Sequence, residues 1–174
     1  MAKTFSDDVT KAMTANNLPS PNVVSASAEF GAGYEAFKAF DHVITGNNKW
    51  LTPAVNPTGW IKFDFGSTLY LIKKYTILIP DEATEINRAP KNWTFQGSNN
   101  DSNWTTIDTQ TNQVFSNHEK KEYEVVSNLT MYRYYKLNVT ANNGNANYLA
   151  IQEIRLMTYK NMGGGLGIGN PYIF

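Results

Sequence analysis

From Gly59 to Ser67 the chain reads GWIKFDFGS, with Ile61, Phe63 and Phe65 on one side of a period-two alternation and Trp60, Lys62 and Asp64 on the other. Such alternation marks a strand with one face in a core and one toward water, and Gly66 ends it. The same rhythm predicts strands over LIKKYTILIP (71–80), NWTFQGS (92–98), NWTTID (103–108), KEYEVV (121–126), RYYKLNVT (133–140) and AIQEIRLMTY (150–159). Turn-forming clusters separate them: Gly97 to Asp101, Asn128, and Asn142-Asn143-Gly144. Many short strands with little helix predict an antiparallel β-sandwich or barrel. Val9, Ala12 and Met13 behind Ser6 and Asp7 predict one short N-terminal helix over residues 6–15, with 16–21 as a linker. The Gly-rich end, GGGLGIGNPYIF, fits no strand pattern, and no internal repeat is found.

Composition narrows the chemistry. A length of 174 residues with 41% hydrophobic and 13% aromatic content fits one globular domain with a sizeable core. Net charge is zero and the pI is near 6.7. The basic footprint expected of a nucleic-acid or anionic-membrane binder is therefore missing. With no cysteine, thiol catalysis, zinc-thiolate sites and disulfides are excluded together. The opening MAKTFSDDVTKAMTANN has no apolar run of signal-peptide length, and no stretch approaches a membrane span.

The usual enzyme signatures are equally sparse. His42 and His118 are the two histidines and belong to no recognisable triad. The carboxylates are scattered, so no acid/base pair stands out. GGGLGIG lacks the Lys-Ser/Thr of a phosphate loop. Sequons at Asn92, Asn103, Asn128 and Asn138 matter only in a eukaryotic secretory route. These features point away from an enzyme.

In chain order, SASAEFGAGYEAFKAFD, Trp50, GWIKFDFG, RAPKNWTFQGSNNDSNWTTID, YRYYKLNVTANNG and LAIQEIRLM resemble the discoidin family, also called coagulation factor 5/8 type C or family 32 carbohydrate-binding modules. The resemblance runs over residues 20–159 and is most like the modules of bacteriophage tail and receptor-binding proteins. It implies an all-β fold: an eight-stranded antiparallel jelly-roll β-sandwich whose loops at one end bind glycans, lipids or proteins. Residues 1–19 would then be an N-terminal docking arm and 160–174 a Gly-rich C-terminal docking tail.

The resemblance also implies one structural calcium ion. Its side-chain ligands would be Asp41 and Glu153, its carbonyl ligands those of Lys38, Val43 and Gln152, with Asn48 where the family has threonine. Calcium takes six to eight oxygens of this mixed kind. His42 stands where the family usually has glycine after the aspartate. Galactose binders tend to carry histidine and arginine where this chain has Leu51 and Asp81. What is left is an amide-rich end: Asn47, Asn48 and Lys49 in one loop, Asp81, Glu82 and Glu85 in a second, Asn145, Asn147 and Tyr148 in a third.

From that end we take Tyr148, Asn147, Asn145, Asn47, Lys49 and Asp81 as candidate ligand residues, with Tyr148 stacking on a sugar. Trp50, Trp60, Trp93 and Trp104 read as core or sheet-surface residues, and Arg88 as an anchor for the start of its strand. The expected function is a non-catalytic attachment module on a virion or extracellular surface, recognising a host cell-surface glycan. The alternative is a virion structural protein whose sandwich joins subunits. Leu166, Ile168, Pro171, Tyr172, Ile173 and Phe174 would be exposed on a lone monomer, so both termini are expected to dock on other subunits of an oligomer.

Overall fold

The computed structural model describes residues 4–46 and 48–160. Its strands are β1 (Val23–Ala26), β2 (Trp50–Leu51), β3 (Gly59–Asp64), β4 (Lys74–Leu78), β5 (Pro90–Ser98), β6 (Thr105–Gln110), β7 (Lys120–Glu124), β8 (Tyr134–Asn142), β9 (Ala150–Ile151) and β10 (Glu153–Met157). The order β1-β3-β8-β5-β6 forms one sheet, β10-β4-β7 a second and β2-β9 a short third. Every pairing is antiparallel. The expected count was eight. The run AIQEIRLMTY breaks at Gln152 into two strands in different sheets, while β1 and the two-residue β2 are too short to show an alternation.

The alternation in β3 does what it predicts: Ile61, Phe63 and the following Phe65 are buried, and Trp60, Lys62 and Asp64 are half-exposed on the other face. The two larger sheets pack through aromatic rings. Tyr75 of β4 stacks on Phe95 of β5 at 4.3 Å between centroids and on Tyr123 of β7 at 5.0 Å. Phe95 in turn stacks on Tyr135 of β8 at 5.6 Å. Buried tyrosine and tryptophan need partners for their polar ends. Trp93 Nε1 donates to the Tyr75 hydroxyl at 2.8 Å, which donates to Asp108 at 2.6 Å. Trp50 is also fully buried, and its Nε1 donates to the Ala28 carbonyl at 3.0 Å.

Two short 3₁₀ turns, Ala36–Phe40 and Ala83–Arg88, are the helical elements among the described residues. The expected helix over 6–15 is not formed. Asp8 accepts bonds from the Thr10 amide at 2.9 Å and the Leu156 amide at 3.1 Å, so its carboxylate competes with helical pairing. The segment instead runs along β10, with Ser6 N to Thr158 O and Val9 N to Leu156 O at 2.8 Å each, and Met13 enters the core. No described helix is long and apolar enough to cross a membrane. Apart from Lys160, the proposed C-terminal tail lies outside the described residues.

Candidate functional site

Four connections meet at one end of the sandwich: β1 to β2, β2 to β3, β4 to β5 through the second 3₁₀ turn, and β8 to β9. Backbone bonds hold them together. Asn143 N donates to Ala89 O at 3.0 Å, Asn145 N to Asn87 O at 3.1 Å, and Asn56 N to Asn147 O at 2.9 Å. In the β1–β2 connection, Phe30 N donates to Leu51 O at 2.8 Å. Gly31 and Gly33 beside it take φ of +140° and +90°, which side chains larger than hydrogen disfavour.

The side chains close a ring of contacts. Phe30 meets Tyr34 edge-on at 5.5 Å and Tyr148 at 6.1 Å. The Arg88 guanidinium lies over the Tyr148 ring at 4.8 Å and ion-pairs with Glu85. Glu85 also pairs with Lys49, whose ammonium lies 5.7 Å from the Tyr34 ring centre. Glu82 stands 3.9 Å from the same ammonium. Lys49 and Glu85 are 1% and 5% exposed, so the aromatic trio rests on a buried ion pair.

This arrangement redistributes the candidate ligand residues. Tyr148 is half-buried with the Arg88 guanidinium over one face of its ring, while Phe30, 50% exposed, is the most open of the three aromatics. Asn147 is exposed. Asn145 is committed to the loops themselves: its Oδ1 accepts from the Asn147 and Tyr148 amides at 2.9 Å each, and its Nδ2 donates to Asn87 at 3.1 Å. Lys49 is a correction. It is buried against Glu85 and faces no solvent, because that countercharge makes its burial tolerable. Asp81 sits on a neighbouring stretch of the rim, where it accepts from Asn117 at 2.7 Å and lies 3.9 Å from His118. Asn47 lies outside the described residues. Reading the sequence alone passed over Phe30 and Tyr34; the glycines around Phe30 were the available signal.

The calcium candidates gather on the adjacent loop. Lys38 O, Asp41 Oδ1 and Val43 O all converge on Asn48 Nδ2, at 3.2, 2.9 and 3.2 Å. Asp41 Oδ1 also accepts from the Val43 amide at 2.9 Å. His42 adopts φ +62°, the left-handed conformation that a glycine at this position takes without strain. Its Nε2 lies 3.0 Å from Asp8 Oδ2. Gln152 is buried at the β9–β10 break, its Nε2 donating to Gly46 O at 3.3 Å.

Glu153 is 1% exposed, and neither carboxylate oxygen has a hydrogen-bond partner. The nearest side-chain nitrogens are Arg155 Nε at 3.4 Å and His42 Nε2 at 4.0 Å. Burial, with Asp41 and Asp8 nearby, pushes the Glu153 carboxyl up to about 9 against the pull of Arg155 and of the His42 backbone amide, which points at it without closing a well-formed hydrogen bond. Burial raises Asp41 too, opposed by its bonds from Val43 and Asn48. Three loop oxygens aimed at one point form a hard-oxygen donor set of the kind calcium takes, and Glu153, whose carboxylate lies with Asp8 and His42, is near enough to Asp41 to feel its charge. A half-turn of the Asn48 amide would present its oxygen to that point as a further donor.

The family model of the F5/8 type C domain matches residues 23–154. The chain belongs to this family. A search of curated protein sequences finds no match. Among solved structures, the F5/8 type C domain of a Bacteroides fragilis protein superposes with a TM-score of 0.65 at 16% identity, covering 91% of this chain and 98% of that one. The CpGH89CBM32-5 module of Clostridium perfringens, in complex with GalNAc-β-1,3-galactose, gives 0.62 at 21% identity, covering 78% and 94%. Chitosan-binding module 2 of a Paenibacillus sp. IK-5 chitosanase/glucanase, in complex with chitotriose, gives 0.61 at 17%, covering 78% and 95%. Likeness at these identities establishes the discoidin-like sandwich; the ligand is a separate question.

Proposed function

We propose that the chain is a non-catalytic carbohydrate-binding module that engages a cell-surface glycan with the loop end carrying Phe30, Tyr34, Tyr148, Arg88 and Asn147. One observation carries this reading: the closed ring of three aromatics and Arg88 braced from below by the buried Lys49–Glu85 pair. Aromatic faces and edges pack on sugar C–H groups, and the exposed Asn147 amide offers a donor and an acceptor to hydroxyls. Bracing by buried charges fixes the rings before a ligand arrives, which lowers the ordering cost of binding. That related modules were solved with GalNAc-β-1,3-galactose and with chitotriose supports the choice of ligand class. The setting we favour, attachment of a virion to its host, rests on the resemblance to phage tail modules and on the apolar, Gly-rich C-terminal sequence, which would dock on neighbouring subunits.

Calcium belongs in this reading as a structural ion held by Asp41, Glu153, Asn48 and the carbonyls of Lys38, Val43 and Gln152. Bound there, it supplies positive charge that neutralises two carboxylates and pins the 38–48 loop to the start of β10. The residues themselves position Trp50 and Leu51, which pair with β9 and fix one wall of the loop end. A glycan array read with calcium and with chelator tests the function. Phe30→Ala and Tyr148→Ala should each lower glycan binding by about tenfold, the scale of one lost stacking contact, while the fold survives. A protein that binds no glycan on the array would leave the scaffold role as the better account, and variants that bind like the wild type would move the glycan away from this loop end.

A further inference from the structure

The outward face of the five-stranded sheet contradicts the ordinary rule for cross-strand pairs. Lys62 of β3 is the direct partner of Lys136 of β8. Like charges opposite one another on an antiparallel pair destabilise it. Lys62 is answered, since its ammonium donates to both oxygens of Asp101 at 2.6 Å. Arg133 nearby is answered as well, by Asp64 at 2.7 and 2.9 Å. Among the described residues no carboxylate pairs with Lys136, whose ammonium rests over the Trp104 ring at 3.8 Å. Burial and the neighbouring Lys62 both push its titration downward, against Asp101. A cleft of about 240 Å³ lies between Trp60, Lys62, Asp101, Trp104 and Lys136. Gln96, the partner of Lys136 on its other side, has a buried side-chain oxygen with no hydrogen-bond partner, as does Thr94 opposite Asn138.

We propose that this cleft is a second binding site, separate from the loop end, and that it takes one uronate residue of an acidic polysaccharide. The sugar's apolar face lies on Trp60 and its carboxylate pairs with Lys136, which Trp104 holds in place. Two features select this ligand together. The surplus cation calls for an anion. The indole wall calls for a flat face of C–H groups, and the cleft admits about one sugar ring. A local break of a sheet rule is expected where a surface has been shaped for binding rather than stability.

The test titrates the whole chain with uronate tetramers from pectate and alginate, following tryptophan fluorescence and heat. Cellotetraose is the neutral comparison and poly-glutamate the acidic non-sugar one. At least one uronate tetramer should bind, more weakly at high salt, with cellotetraose and poly-glutamate clearly weaker. Lys136→Met keeps the stem over Trp104 and should weaken uronate binding by roughly tenfold, the scale of a charge-assisted hydrogen bond. Trp60→Ala should weaken it similarly, and Phe30→Ala at the loop end should leave it unchanged. Failure of both uronates to bind overturns the proposal. So does a Lys136→Met protein that binds like the wild type with its melting temperature intact. Should that variant unfold, Lys136→Gln gives the same reading. Equal binding of poly-glutamate would mark a merely cationic surface, and loss of uronate binding in Phe30→Ala would move the ligand to the loop end; either result overturns the second site without touching the first.

Discussion

Glu85 and Glu153 are buried to nearly the same degree, 5% and 1% exposed, at the same end of the sandwich. Their surroundings differ. Glu85 lies between the Lys49 ammonium and the Arg88 guanidinium and is satisfied within the chain. Glu153 has no well-formed hydrogen bond to either oxygen and two further carboxylates close enough to oppose its charge. A buried carboxylate is tolerated when paired and costly when not. The first is finished by the protein's own cations. The second is left for something else, and the loop oxygens of Lys38, Asp41 and Val43 show where a cation would stand.

Of the substitutions, the one that breaks the finished site should have the largest effect. Glu85→Ala leaves the buried Lys49 ammonium without its closest counterion, with Glu82 at 3.9 Å. Stripping one partner from a buried pair costs about 3–5 kcal/mol, so the melting temperature should fall steeply. A loss below about 1 kcal/mol, the range of an exposed pair, would show that water reaches Lys49 and that the brace under the aromatic trio is weak.

The unfinished site should respond to the ion. Calcium at a hundredfold excess over its dissociation constant should add about 2.7 kcal/mol to the folded state. Asp41→Ala should remove that gain, and chelator should then leave the variant's melting temperature where it was. Equal responses of variant and wild type would sink the assignment of Asp41.

How much of this could be read from the chain divides along physical lines. The alternation in β3, β5 and β8 and the family motifs were legible because each strand has one buried face. The arm before Asn16 was misread as helix because spacing alone cannot see Asp8 bonding the Leu156 amide across the fold. Lys49 looked like a solvent-facing loop residue. Its burial depends on Glu85, 36 residues away, and no local pattern encodes that pairing. Asp41 and Glu153 were named through the resemblance. That Asn48 already fills the space between the loop oxygens appears only in three dimensions.

A graded effect separates the two carboxylates by pH. Burial and the neighbouring carboxylates hold Glu153 protonated up to about 9 in the fold, against about 4.3 in an unfolded chain. Between those values the folded state keeps a proton that the unfolded state has released, so stability must fall as pH rises through the window. In chelator, the wild type should lose stability progressively from about pH 5 to 9, and Glu153→Gln should stay nearly level. A wild type as flat as the variant would mean that Arg155 and His42 satisfy Glu153 after all.

The smallest effect should come from Asn48, where the two kinds of site meet. Its amide nitrogen stands within 3.2 Å of Lys38 O, Asp41 Oδ1 and Val43 O, so without an ion it does part of a cation's work. An NH₂ group has two hydrogens and cannot satisfy three acceptors at full strength, and each net bond is worth about 1 kcal/mol. Asn48→Thr removes those donors and replaces them with one hydroxyl, which can also serve as an oxygen ligand. In chelator the variant should therefore be about 1 kcal/mol less stable than the wild type. With calcium the difference should close, because the ion then takes over the loop oxygens and the hydroxyl joins them. Thermal melts of both proteins in the two conditions decide it. A variant as stable as the wild type in chelator would show that the amide is not standing in for a cation. One that stays weaker in calcium would show that this loop needs the amide itself, and that the ion, if bound, is held without help from position 48.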